Sequence, residues 1–182
     1  MSEISERHRV LAAEFARRVA AVPDDKWTAQ SPCTGWTARD VLRHVLTTTY
    51  HDMPEKVGLS VPVGPVDTDP VAAVDAARGA MQKILDDPAQ ATLEYDGWFG
   101  RTTLECTVND FGCFDLLIHA WDLARATGQD ETMPADEVHR AYEAALKAGD
   151  MLRYDGVCGP EVSVPADAPE QDRLLGLLGR TP

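Results

Sequence analysis

The run FDLLIHAWDLARATGQD, Phe114 to Asp130, places a carboxylate, Asp115, four residues ahead of an imidazole, His119. On a helix that spacing puts both side chains on one face, one turn apart. Such a pair can give a cation two fixed ligands, with a third taken from a neighbouring helix. Phe114, Leu116, Leu117, Ile118 and Trp121 make the segment apolar almost all round, as in a buried helix. A carboxylate there is costly unless it is paired or metal-bound. Spacing alone leaves two readings open: a metal-ligand pair, or a structural ion pair with Asp115 on a solvated edge or near the helix N-terminus.

His44, flanked by Val41, Leu42, Val45 and Leu46, is the best third ligand in the chain. A single core histidine is usually just hydrogen-bonded, so His44 adds weight only in combination. His51 lies seven residues on, on nearly the same face, and competes for the role or for that of a supporting group. Asp122, three residues after His119 and three before Arg125, reads either as half of a salt bridge or as an acceptor that orients the His119 ring. Glu105 and Asp110 fall at a hairpin end and an N-terminal turn, while His8 and His139 sit in charged stretches expected at the surface. No G-x-S-x-G, phosphate-binding loop or dinucleotide glycine fingerprint is present.

The elements that must position these groups are mostly helical. Val10, Leu11, Phe15, Val19 and Val22 recur at helical spacing from Ile4 to Val22. After the loop WTAQSPCTGW, where Trp27 and Trp36 are expected to cover the end of a core, Thr37 and Asp40 form a capping-box variant. That box opens a second helix from about Ala38 to Tyr50 or slightly beyond. The prolines and glycines between Pro54 and Pro70 mark a long connection, and Asp69-Pro70 starts a third helix ending near Pro88. ATLEYDGWFGRTTLECTV, from Ala91, suggests a short β-hairpin around DGWFG. A fourth helix is expected from about Asn109 to Thr127 with Gly128 as its left-handed cap, then a fifth after Pro134 and a short helical RLLGLLG. Together these predict a mostly α chain: a helix bundle with an extra short helix and a small hairpin, in one domain spanning residues 1–182.

Length and composition fit that expectation: 182 residues, 44% of them hydrophobic, suffice for a real core. Seventeen basic against 30 acidic residues give a formal net charge of −13, which disfavours nucleic acid and anionic membranes as partners. Cys33, Cys106, Cys113 and Cys158 lack any C-x-x-C or knuckle spacing and are expected as reduced thiols. The charged N-terminus and the lack of an apolar run near the roughly 20 residues of a bilayer span predict a cytoplasmic protein. Alanine-rich helix faces hint at a homodimer.

Two separated stretches, WTAQSPCTGWTARDVLRH (Trp27 to His44) and DLLIHAWDLARATG (Asp115 to Gly128), together resemble the DinB-like superfamily. Within it they are similar to the metal-binding N-terminal domain of mycothiol-dependent maleylpyruvate isomerase. The closing GPEVSVPADA and DRLLGLLGRTP resemble a single-domain actinobacterial branch known only as metal-binding. The resemblance covers nearly the whole chain. It implies a four-helix bundle holding a divalent metal, usually zinc with nickel as the alternative, through His44, Asp115 and His119. The isomerase has Glu where this chain has Asp115, and it carries a second C-terminal domain for which 182 residues leave no room. Three such ligands leave a position open, as in catalytic zinc sites. A low-molecular-weight thiol such as mycothiol could bind there as a co-substrate thiolate, giving a metal- and thiol-dependent transferase or isomerase. None of the four cysteines is needed for that chemistry. The alternatives are metal-dependent hydrolysis and a non-catalytic metal- or ligand-binding module.

Overall fold

Helix α1 (Glu3–Ala20) turns Leu11, Ala12, Phe15 and Val19 into a core. Its N-cap Ser2 accepts a hydrogen bond from the Ser5 amide, and Glu3, Glu6, Arg17 and Arg18 complement the helix dipole at its two ends. The protein is described by a computed structural model covering residues 2–154 and 156–182.

Helix α2 spans residues 38–55. The expected capping box is formed: Thr37 accepts from the Asp40 amide, and the Asp40 carboxylate accepts from the Thr37 amide at 2.9 Å. The helix is α over Ala38–His44, widens to π over Val45–Asp52 and returns to α over Met53–Glu55. Helix α3 (Pro70–Asp86) starts where Asp69 caps the Ala72 amide at 2.9 Å. Strands β1 (Glu94–Gly97) and β2 (Gly100–Thr103) form the antiparallel hairpin that the alternation predicts, with Tyr95 opposite Thr102.

Helix α4 spans residues 104–127 and starts five residues earlier than its periodicity suggests. Thr103 caps it, accepting from the Cys106 amide at 3.3 Å, so the β-prone residues after Thr103 are drawn into helix. It too widens to π, over Val108–Gly112, before the regular stretch Cys113–Thr127, and it ends at Gly128 in the left-handed conformation.

Helix α1 packs on α3 and α4, and α2 packs on α4 and α3, which closes a four-helix ring. Trp121, Tyr50, Phe15, Leu42, Leu46, Met81 and Leu116 fill its interior. Each buried leucine stabilises the bundle by about 1.5–3 kcal/mol. One glycine lets the two π-containing helices close up. A Cβ on Gly112 would lie 3.2 Å from the Thr49 methyl and 3.4 Å from the Met53 sulfur.

His8 departs from its expected surface place. It is fully buried, because the α1 face it shares with Ser5 is covered by α3. His139 is exposed, as expected. This first compact unit runs to Asp130, and a second begins at Glu131. In the second, α5 (Ala135–Ala148) packs against α6 (Glu170–Leu177). Gln171 ties its leading segment down, accepting from the Met133 amide at 3.0 Å and donating to the Glu131 carbonyl at 3.1 Å. Among the described residues no cysteine is in a disulfide, and no helix is long and apolar enough to cross a membrane.

Candidate metal centre

Val41, Leu42, Val45 and Leu46 are fully buried, and their anchoring rotates His44 to the edge of the core facing α4. On α4 the packing of Leu116, Leu117 and Trp121 does the same for Asp115 and His119. The three side chains meet. One ligand atom from each lies within 4.8 Å of the others, and the His44 and His119 ring centroids are 4.8 Å apart at 73°. His44 Nε2 stands 3.5 Å from Asp115 Oδ2, with about a quarter of each side chain exposed, while His119 is buried.

That 3.5 Å is long for a hydrogen bond. It suits a different arrangement, since two atoms bound to one tetrahedral cation at about 2.0–2.1 Å lie about 3.4 Å apart. The outward nitrogens are held as ligand imidazoles require. His119 Nδ1 donates to Asp122 Oδ2 at 2.9 Å, which leaves its Nε2 lone pair available. His44 Nδ1 pairs with the Thr48 hydroxyl at 3.3 Å. Asp115 Oδ2 also accepts from Thr49 Oγ1 at 3.2 Å.

Among the described residues, no lysine or arginine pairs with Asp115. Burial pushes its carboxyl up most strongly, yet His44, His119 and Thr49 together hold it below the ordinary 3.8. It is therefore an anion whose partners among the described residues are two imidazoles and a hydroxyl. The donor set, two nitrogens and a carboxylate with a partly open face, fits a divalent cation of the zinc type.

The loop before α2 roofs the site. Gln30 donates from its side chain to the carbonyls of Ser31, Cys33 and Trp36, and the Ser31 amide donates to the Trp36 carbonyl at 2.8 Å. That framework sets the Trp36 ring 4.9 Å from His44 and 6.1 Å from His119. Cys33 Sγ donates to Asp122 Oδ2 at 3.4 Å, so one fully buried carboxylate serves both the loop and His119.

Of the other residues singled out in the sequence, Asp122 takes the acceptor role, while Arg125 lies over the Trp121 ring at 4.9 Å. His51 pairs with Glu55 at 3.3 Å and forms a separate, more exposed group with Asp52. Glu105 lies in the first turn of α4, and Asp110 accepts from Asn109 at 2.8 Å. Trp27 is buried in the core as expected, whereas Trp36 belongs to the site. Sequence reasoning missed Thr48, Thr49, Cys33 and Trp36. Thr48, four residues after His44, carried a readable signal. The other three depend on a loop path and a π-widened turn that spacing does not reveal.

Fold and site define a helical-bundle domain with a candidate metal-ligand triad. The model of the mycothiol maleylpyruvate isomerase N-terminal domain family matches residues 8–148, and the chain belongs to that family. It is also 30% identical over 180 residues to uncharacterized proteins of Mycobacterium tuberculosis strains CDC 1551 and H37Rv, with 96% of each chain covered. No solved structure matches the chain.

Proposed function

We propose that the chain binds one divalent metal ion, zinc by preference, through His44, Asp115 and His119, and works as a metal- and thiol-dependent transferase or isomerase. The observation that carries this reading is the Asp115 carboxylate, held as an anion beside two oriented imidazoles with no lysine or arginine paired to it among the described residues. When bound, the cation supplies Lewis acidity that lowers the pKa of a coordinated thiol, so a thiolate persists at neutral pH.

The chain's own residues do the rest. Asp122 fixes the orientation of the His119 ring by accepting a hydrogen bond from Nδ1. Thr49 and His44 both face Oδ2 of Asp115, which orients the carboxylate toward the two imidazoles. Trp36 shields the two imidazoles from bulk water on the loop side. The small thiol proposed as co-substrate is mycothiol or a relative, as the family's description suggests.

Cobalt substitution tests the reading. Adding a small thiol to the cobalt-loaded protein should produce a sulfur-to-cobalt charge-transfer absorption, and the His119→Ala protein should give none. A cobalt-loaded protein whose spectrum ignores thiols would remove the thiol-dependent activity and leave a metal-binding module.

A further inference from the structure

The β1–β2 hairpin is built at odds with its turn chemistry. Gly97 and Gly100 are paired, so Trp98 and Phe99 occupy the connecting turn, where small polar residues normally sit. Gly100, at φ +105°, supplies the positive φ. Trp98 is 92% exposed and Phe99 69%. Large aromatic side chains in these positions are exposed to water where a turn favours small polar residues, a local conflict of the kind that marks a functional position.

Phe99 is not aimed at random. Its ring stacks on Phe111 with centroids 6.3 Å apart and planes 13° from parallel. Phe111 is itself 48% exposed and precedes Asp115 by four residues, at the end of the π-widened turn that leads into the regular stretch of α4. That places it about one turn ahead of Asp115, on the side of α4 that carries the carboxylate. Between them Gly112 abuts Thr49, whose hydroxyl binds Asp115. An apolar shelf of two stacked rings thus lies one turn ahead of the triad's carboxylate on α4.

We infer that the Phe99–Phe111 pair is the subsite for the organic body of whatever coordinates at the triad, and that it selects ligands with a planar, apolar, aromatic-type group next to an anionic head. The inference rests on the metal-binding reading above. A doubly charged cation beside a single carboxylate leaves net positive charge for the head, and the stacked rings offer an aromatic face and edge for the body.

Two hydroxamates that share a chelating head test it on the zinc-loaded protein: acetohydroxamate and benzohydroxamate. Benzohydroxamate should bind about fivefold to tenfold tighter than acetohydroxamate, the range of one added aromatic contact. In Phe111→Ala and Phe99→Ala that preference should fall to near unity, with acetohydroxamate affinity and zinc content unchanged, and Phe111→Tyr should keep it. Equal affinities in the parent protein, or a preference that survives both alanine variants, would overturn the subsite. So would alanine variants that turn a dimer into a monomer without altering the preference, since a second copy of the chain would then be the occupant. Absence of zinc from the same samples by elemental analysis would overturn the metal reading and the subsite with it.

Discussion

Two histidine–carboxylate clusters lie on different seams of one bundle, and they are completed differently. Between α1 and α3, Asp86 accepts from Ser5, from Gln82 at 3.0 Å and from Arg9 at 3.0 and 3.1 Å. The Gln82 amide is spent donating to Ser5 and Asp86, so its oxygen accepts from His8 Nδ1 at 2.9 Å. Ser5, then Gln82 and Arg9, pull the Asp86 carboxyl down to about 2. Between α2 and α4, Asp115 meets two imidazoles and a threonine and, among the described residues, no lysine or arginine. The first cluster carries its own positive charge and is structural glue, while the second is short of one positive charge. Buried imidazole next to carboxylate is common to both, so residue type does not separate them. The identity of the cation does.

This contrast is open to breakage at either seam. The largest effect expected is at the triad: His119→Ala should lower zinc affinity by at least two orders of magnitude in an equilibrium competition with a chelator. Asp122→Ala should cost about 10–100-fold in the same assay, because the His119 ring loses its acceptor. Neither change should be mimicked on the α1–α3 seam.

There the readout is stability without metal dependence. Burial outweighs the Gln82 hydrogen bond and lowers the His8 pKa below the ordinary 6.5. The unfolded chain therefore takes up a proton at this residue before the folded one does, and stability falls as pH drops below 6.5. Thermal unfolding from pH 7 to pH 5 should show that decline, and His8→Gln should flatten it. Asp86→Ala should cost about 1 kcal/mol, discounted for its partial exposure, and lower the melting temperature by a few degrees with zinc binding intact. Smallest of all, His51→Ala should leave both zinc affinity and stability nearly unchanged. A large loss of zinc there would move the ligand role to the His51, Asp52 and Glu55 group.

Helical periodicity, the Thr37–Asp40 box, Asp69-Pro70 and Gly128 carried most of the fold, since each is a local signal with a local cause. The i, i+4 spacing of Asp115 and His119 was equally legible, and the meeting with His44 followed from two apolar helices needing to pack. His8 was misplaced because charged neighbours on α1 point to solvent while its own face is covered by α3, a fact that belongs to tertiary structure. The π-widened turns beside His44 and ahead of Asp115 were also invisible to periodicity. They arise where the two site-bearing helices meet, and such turns are frequent at functional sites.

The most direct test of the missing cation is a zinc titration of the metal-stripped protein beside its His44→Ala/His119→Ala double variant, read by elemental analysis after desalting. The account predicts one zinc ion per parent chain, with a rise in melting temperature on loading, and neither in the double variant. A parent chain that retains no zinc, or a double variant that still binds it stoichiometrically, would contradict the account.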